Sequence, residues 1–153
     1  MQKSILVAMA AVVCTGYLCG KYAGEKKERQ KRFKIQTYAS VYKMWLGKFQ
    51  RGESIADFLL GKSYENIAVY GMGKFGVFLI NELENRGIKP VFIIDQRADE
   101  IFYRGIDVFT LSDTLPDVDA IIVTTVNGQQ ELKEKVAHYI KCDVYTLEEL
   151  LQE

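Results

Sequence analysis

The residues of this sequence whose types and spacing could do chemistry are Gly71-Met72-Gly73-Lys74-Phe75-Gly76 and, 22 positions after Gly73, Asp95. The chemistry is recognition of a phosphate and a ribose. Gly71 permits a tight turn out of a strand, Gly73 lets a pyrophosphate reach the backbone, and Gly76 lets helix and sheet pack closely. Free N–H groups at a helix start, with the helix dipole, favour an anion there. A carboxylate closing the next strand accepts hydrogen bonds from a ribose diol and repels a 2′-phosphate.

Other chemistries find less to work with. His138 is the only histidine, which excludes a zinc hydrolase or a site built on two histidines. His138 is expected on a solvated helix face. Cys14, Cys19 and Cys142 form no Cys-x-x-Cys and are too scattered for a disulfide framework. Cys142 precedes an edge strand and has no evident basic activator, so a reactive thiol is not expected. Asp113, Asp117 and Asp119 flank Pro116 and read as turn residues, so no metal is expected. No Gly-x-x-x-x-Gly-Lys-Ser/Thr occurs, which excludes the P-loop nucleotidases. Across 153 residues, 20 basic and 20 acidic side chains cancel, which argues against a nucleic-acid binder. An apolar content of 48% excludes a disordered chain.

The elements needed to position the loop are present. Ile67–Tyr70 is a short β-rich apolar run suited to a buried parallel strand, and the glycines follow at once. A helix carries Val77, Phe78, Leu79, Ile80 and Leu83 to about Arg86 and stops at Gly87. A second strand, Val91–Ile94, ends in Asp95. Strands are expected again at Ile106–Thr110, Ala120–Val126 and Asp143–Tyr145. A helical turn is expected at Leu111–Leu115, an amphipathic helix at Gln129–Ile140 with Leu132, Val136 and Ile140 inward, and a last helix at Leu147–Leu151. Right-handed crossovers order five parallel strands 3-2-1-4-5 in an α/β sheet. Thr124, Thr125 and the residues to Gly128 then lie beside the glycine loop, and Gln96 and Arg97 beside Asp95.

Gly71 to Asp95 resembles the fingerprint of the Rossmann-fold NAD(P)-binding superfamily. Its brevity is similar to the nucleotide-sugar-binding N-terminal domains of sugar O-acetyltransferases and to regulatory domains that bind NAD(H). The resemblance implies cofactor contacts from Gly71, Met72, Gly73, Lys74, Phe75, Gly76, Asp95, Gln96, Arg97, Thr124 and Thr125. It implies NAD(H) in preference to NADP(H), or a nucleotide-sugar. Similarity to nucleoside-diphosphate-sugar epimerases extends over the first strand–loop–helix–strand only. Their catalytic Tyr-x-x-x-Lys has no counterpart, since Tyr70-x-x-x-Lys74 lies inside the loop, and no substrate domain is expected after Glu153. No catalytic residue is assigned.

Ahead of this domain, taken as residues 64–153, the neutral total hides an asymmetry. Ser4–Gly20 is a run of 17 residues without a charge. As a helix it spans about 25 Å, within the range of a membrane anchor once Lys21 snorkels. A cleaved signal peptide is the alternative, but no small-x-small site sits suitably. From Lys21 to Lys34 seven basic residues oppose Glu25 and Glu28, a net of +5. From Ile35 onward 12 basic residues face 18 acidic ones. The basic collar places the globular body on the cytoplasmic side of the cell membrane as a single-pass protein. Residues 1–24 are thus read as anchor and start of the collar. Gly16-x-x-x-Gly20 and Gly20-x-x-x-Gly24 are compatible with a close helix pair.

Residues 25–63 are read as a basic, amphipathic helical connector. Ile35, Tyr38, Tyr42, Trp45 and Phe49 make one helical stripe, widened by Val41 and Leu46. The stripe is expected either to pack on the following domain or to meet a second copy or a partner enzyme. Arg51-Gly52 stops the helix, and Ser54 is placed to cap a short one over Ile55–Leu60. The whole reads as a membrane-tethered binding module acting as sensor or accessory subunit. An enzyme of nucleotide-sugar or polysaccharide metabolism, epimerase- or dehydratase-like and completed by a partner chain, is the first alternative. A structural domain with an empty glycine loop is the second.

Overall fold

A computed structural model describes residues 2–111 and 114–153, with side chains from residue 21 onward. The chain divides into two compact units, Met1–Ala39 and Ser40–Glu153.

The first unit is helical. Helix α1 (Gln2–Gln50) runs without a break through the collar, so the expected divide between anchor and connector is not a change of secondary structure. No Gly or Pro occurs between Gly24 and Gly47, and Glu28 and Arg32 pair one turn apart at 2.8 Å. Residues 21–36 are exposed, Phe33 and Ile35 among them. Among the described residues no helix is long and apolar enough to cross a membrane. The apolar run Ser4–Gly20, with its Gly16 and Gly20, lies outside the residues whose side chains are described.

The second unit contains the rest of α1, then α2 (Ile55–Gly61), β1 (Ile67–Tyr70), α3 (Lys74–Asn85), β2 (Phe92–Ile94), β3 (Asp107–Phe109), β4 (Ala120–Val123), α4 (Gln129–Tyr139), β5 (Asp143–Thr146) and α5 (Leu147–Gln152). The five strands form one all-parallel sheet in the order β3-β2-β1-β4-β5, as the crossover rule requires. β1 and β4 are buried at every position because helices cover both faces, so their sequences are apolar throughout rather than alternating. The period of two survives as a division of labour. Ala68, Tyr70, Phe92, Ile94, Ile121, Val123 and Val144 pack with Val136 and Ile140 of α4. The intervening residues, Val69, Ile93 and Ile122, are equally buried, as are Leu79 and Leu83 of α3 and Leu147 and Leu150 of α5.

Several boundaries differ from the sequence pattern. β4 ends at Val123 rather than Val126, because Thr124 turns its hydroxyl onto the carbonyls of Tyr70 and Gly71 at 3.0 and 2.8 Å. β2 begins at Phe92, leaving Val91 exposed, and β3 is shortened to three residues. α3 starts at Lys74, inside the glycine motif. β5 gains Thr146 and α4 ends one residue early, at Tyr139. The turn expected at Leu111–Leu115 falls partly on residues 112 and 113, so it and Asp113 lie outside the described residues. The aromatic stripe of α1 is offset from the expected one. In the second unit Val41 and Lys48 are buried and Trp45 partly so, while Tyr42, Leu46 and Phe49 are exposed. The rings of Tyr42 and Trp45 lie 4.9 and 6.2 Å from Phe75.

Polar staples hold the elements in place. Glu82 of α3 accepts from Ile55 N at 2.6 Å, at the start of α2, and from Trp45 Nε1 at 2.5 Å. Asp119 accepts from the backbone of Glu65 and Asn66 at 2.9 and 2.7 Å, which holds its carboxyl below the usual range. At the start of β5, Tyr64 donates to Asp143 and lies 2.9 Å from the Tyr145 hydroxyl, and the two contacts push the Tyr64 phenol well above its ordinary value.

Candidate functional site

The parallel register brings the ends of three strands to one edge. Tyr70 is level with Ile94 and with Val123, so Gly71, Asp95 and Thr124 leave the sheet together. Gly71 N donates to Ile94 O at 2.7 Å, and Thr124 N to Tyr70 O at 2.9 Å.

The three glycines do different things. Gly71 has φ +100°, and a Cβ there would meet Thr125 Cγ2 at 3.0 Å and Thr124 Oγ1 at 3.1 Å. Backbone and packing both require glycine. A Cβ on Gly76 would lie 2.0 Å from Gly71 O, so the start of α3 rests directly on the turn. Gly73 differs from both. Its φ of −77° suits any residue, and a Cβ would meet nothing within 4 Å. Gly73 also opens α3 without a side-chain cap of its own.

Asp95 sits where the spacing put it, with its side chain 12% exposed, but its carboxylate is already engaged. Oδ2 accepts from Met72 N at 2.8 Å, and Oδ1 from Arg97 N at 3.0 Å. Arg97 Nε stands 3.5 Å from Oδ1. Asp95 therefore fixes the glycine loop as well as facing the cleft, and Arg97 partners Asp95. Both carboxylate oxygens keep a further lone pair for a ribose hydroxyl.

A cleft of about 290 Å³ lies at this edge, lined by Tyr70, Gly71, Asp95, Gln96, Arg97, Thr125 and Leu132. The Oγ1 of Thr125 is buried there without a hydrogen-bond partner. Thr124, in contrast, is buried and spends its hydroxyl on the β1 carbonyls. Phe75 is buried beside Tyr42 and Trp45, so its side chain belongs to the packing of α3. Gly73 and Lys74 are exposed, and Met72 half-buried. Tyr70 and Leu132 are additions that the motif did not supply. Burial, with the Asp95 charge, raises the Tyr70 phenol, which keeps it a proton donor at neutral pH. Strand alternation was the available signal for Tyr70, since it falls on the α4 side of β1.

The remaining candidates stay apart. His138 is exposed on α4. Burial beside Asp143 pushes the Cys142 thiol up to about 11, which leaves it protonated and unreactive. Among the described residues no group of His, Cys, Asp or Glu is arranged to hold a metal ion. The chain matches no protein-family model, no curated protein and no solved structure.

Proposed function

We propose that this chain is a membrane-tethered, Rossmann-type module that holds a dinucleotide or a nucleotide-sugar on the Gly71–Gly76 loop. It acts as a sensor or accessory subunit on the cytoplasmic side of the membrane. The single observation that carries the reading is Gly73. Neither its backbone angle nor its surroundings demand glycine, and the space a Cβ would enter adjoins an uncapped helix start. That is where the phosphates belong. The ribose then meets Asp95 in the adjoining cleft, and the orphaned Thr125 hydroxyl lies within the same cleft.

The tether rests on the uncharged Ser4–Gly20 run and the collar behind it. The full chain should accordingly resist carbonate extraction from membranes, and full release into the soluble fraction overturns the tether. The exposed Tyr42, Leu46 and Phe49 of α1 are the surface for a second copy or a partner enzyme.

Ligand identity is tested by mass spectrometry of small molecules released from the detergent-extracted full chain, then by calorimetry. NAD(H) should bind roughly tenfold to a hundredfold more tightly than NADP(H), the cost of placing a 2′-phosphate against a carboxylate. Asp95→Asn should narrow that gap, since it keeps an acceptor for Met72 N and removes the charge. Tighter binding of NADP(H) by the wild type overturns the role given to Asp95.

A further inference from the structure

A second cleft, of about 620 Å³, lies at the start of α4 and α5, lined among others by Val126, Gln129, Glu131, Glu148 and Gln152. Gln129 is the unusual member. It is only 8% exposed, and its Oε1 is buried with no hydrogen-bond partner. A buried amide oxygen without a donor is rare in a folded chain, because it forfeits water without replacing it. It sits at the first residue of α4, an 11-residue helix whose N-cap, Gly128, takes φ +66° and offers no side-chain cap. The neighbouring polar groups are of two kinds. Glu149 and Thr146 satisfy one another and Lys133 in the capping box of α5. Glu131 and Glu148 are exposed, and Glu131 Oε2 lies 3.9 Å from where a Cβ on Gly128 would stand.

A cleft with one unpartnered amide oxygen, flanked by two carboxylates, suits a neutral group bearing hydroxyl donors, and repels an anion. Its position joins it to the glycine-loop site. Val126 lines this cleft and Thr125, the preceding residue, lines the other. We infer that the α4–α5 cleft receives the neutral, hydroxyl-bearing sugar of a nucleotide-sugar whose diphosphate lies on the glycine loop. The inference rests on the nucleotide reading proposed above and selects the nucleotide-sugar within it.

The test is calorimetry on the detergent-solubilised full chain with UDP, UDP-glucose and UDP-glucuronate, and with ADP and ADP-glucose as a second base series. The glucosyl compound should bind roughly tenfold more tightly than its diphosphate, and the glucuronate roughly tenfold more weakly than the glucoside. Gln129→Leu should erase the glucosyl increment and leave the diphosphate affinity unchanged. Glu148→Lys, at an exposed position, should narrow or invert the preference for glucose over glucuronate even if Gln129→Leu folds poorly. A chain that binds neither diphosphate sinks the nucleotide reading itself. A chain that binds a diphosphate, but gains nothing from glucose or accepts glucuronate equally well, overturns the α4–α5 sugar site alone.

Discussion

Helices α2 and α5 begin under side-chain caps, whereas α3 and α4 begin at bare glycines. Ser54 accepts from Asp57 N at 2.9 Å, and Glu82 reaches across from α3 to take Ile55 N. Thr146 and Glu149 form a reciprocal capping box. Gly73 and Gly128 supply no side-chain hydrogen bond at all. The two bare starts follow β1 and β4, which lie side by side in the sheet, so both open onto the same edge. A cap satisfies the first turn internally and fixes the helix, and where only stability matters it is the favoured solution. A bare glycine supplies no side-chain cap to those N–H groups, at some cost in stability.

The contrast breaks most sharply within the glycine loop itself. Gly76→Ala should destabilise the domain by about 3 kcal/mol or more, because the added carbon meets a backbone carbonyl that cannot move aside. Urea unfolding of the full chain checks it, and a near-wild-type midpoint would mean that the α3 start does not rest on Gly71. Gly73→Val should do the opposite. Its unfolding free energy should change by less than about 1 kcal/mol, while nucleotide affinity falls roughly a hundredfold, some 2.7 kcal/mol, as the side chain fills the phosphate space. Equal affinity in wild type and variant would show that the bare start of α3 is not a binding feature.

At the capped starts the effects are smaller and confined to stability. Thr146→Ala should cost about 1 kcal/mol, and Glu82→Ala about 1 to 2 kcal/mol, since Glu82 serves both the Ile55 N–H and the Trp45 indole. Neither should change nucleotide affinity, and a joint loss of both would collapse the distinction between the two kinds of start. The smallest effect is expected at the opposite edge of the sheet. Asp119, held below the usual carboxylate range by two backbone N–H groups, contributes stability that is fully present above its unfolded value near pH 4. That contribution fades as pH falls through the lowered native value. Denaturation midpoints measured from pH 5 down to pH 2 should drop less steeply in Asp119→Asn than in the wild type.

Much of this was legible in the sequence because short-range physics decides it. The apolar run Ile67–Tyr70, three glycines at fixed spacing and a carboxylate at the end of the next strand specify a strand, a turn and a helix in a parallel sheet. The handedness of crossovers then leaves one strand order. Ser54 was readable as a cap, whereas Asp119, read as a turn residue, accepts instead from the backbone of Glu65 and Asn66 far back in the chain.

What the sequence could not hold were contacts between residues far apart in the chain. Nothing near Asp95 in sequence says that Met72 N occupies one of its oxygens, and nothing near Thr124 says that its hydroxyl closes on Tyr70 and Gly71. Helical period alone could not choose which side of α1 is covered, because Tyr42, Trp45 and Phe49 look alike until Phe75 takes its place beside two of them. The separate duties of Gly71, Gly73 and Gly76 were likewise invisible in a motif that writes them with the same letter. Sequence determines which backbone conformations are cheap and which faces are apolar. Only the folded chain decides which polar groups find partners and which, like the hydroxyl of Thr125 and the amide oxygen of Gln129, are left without one.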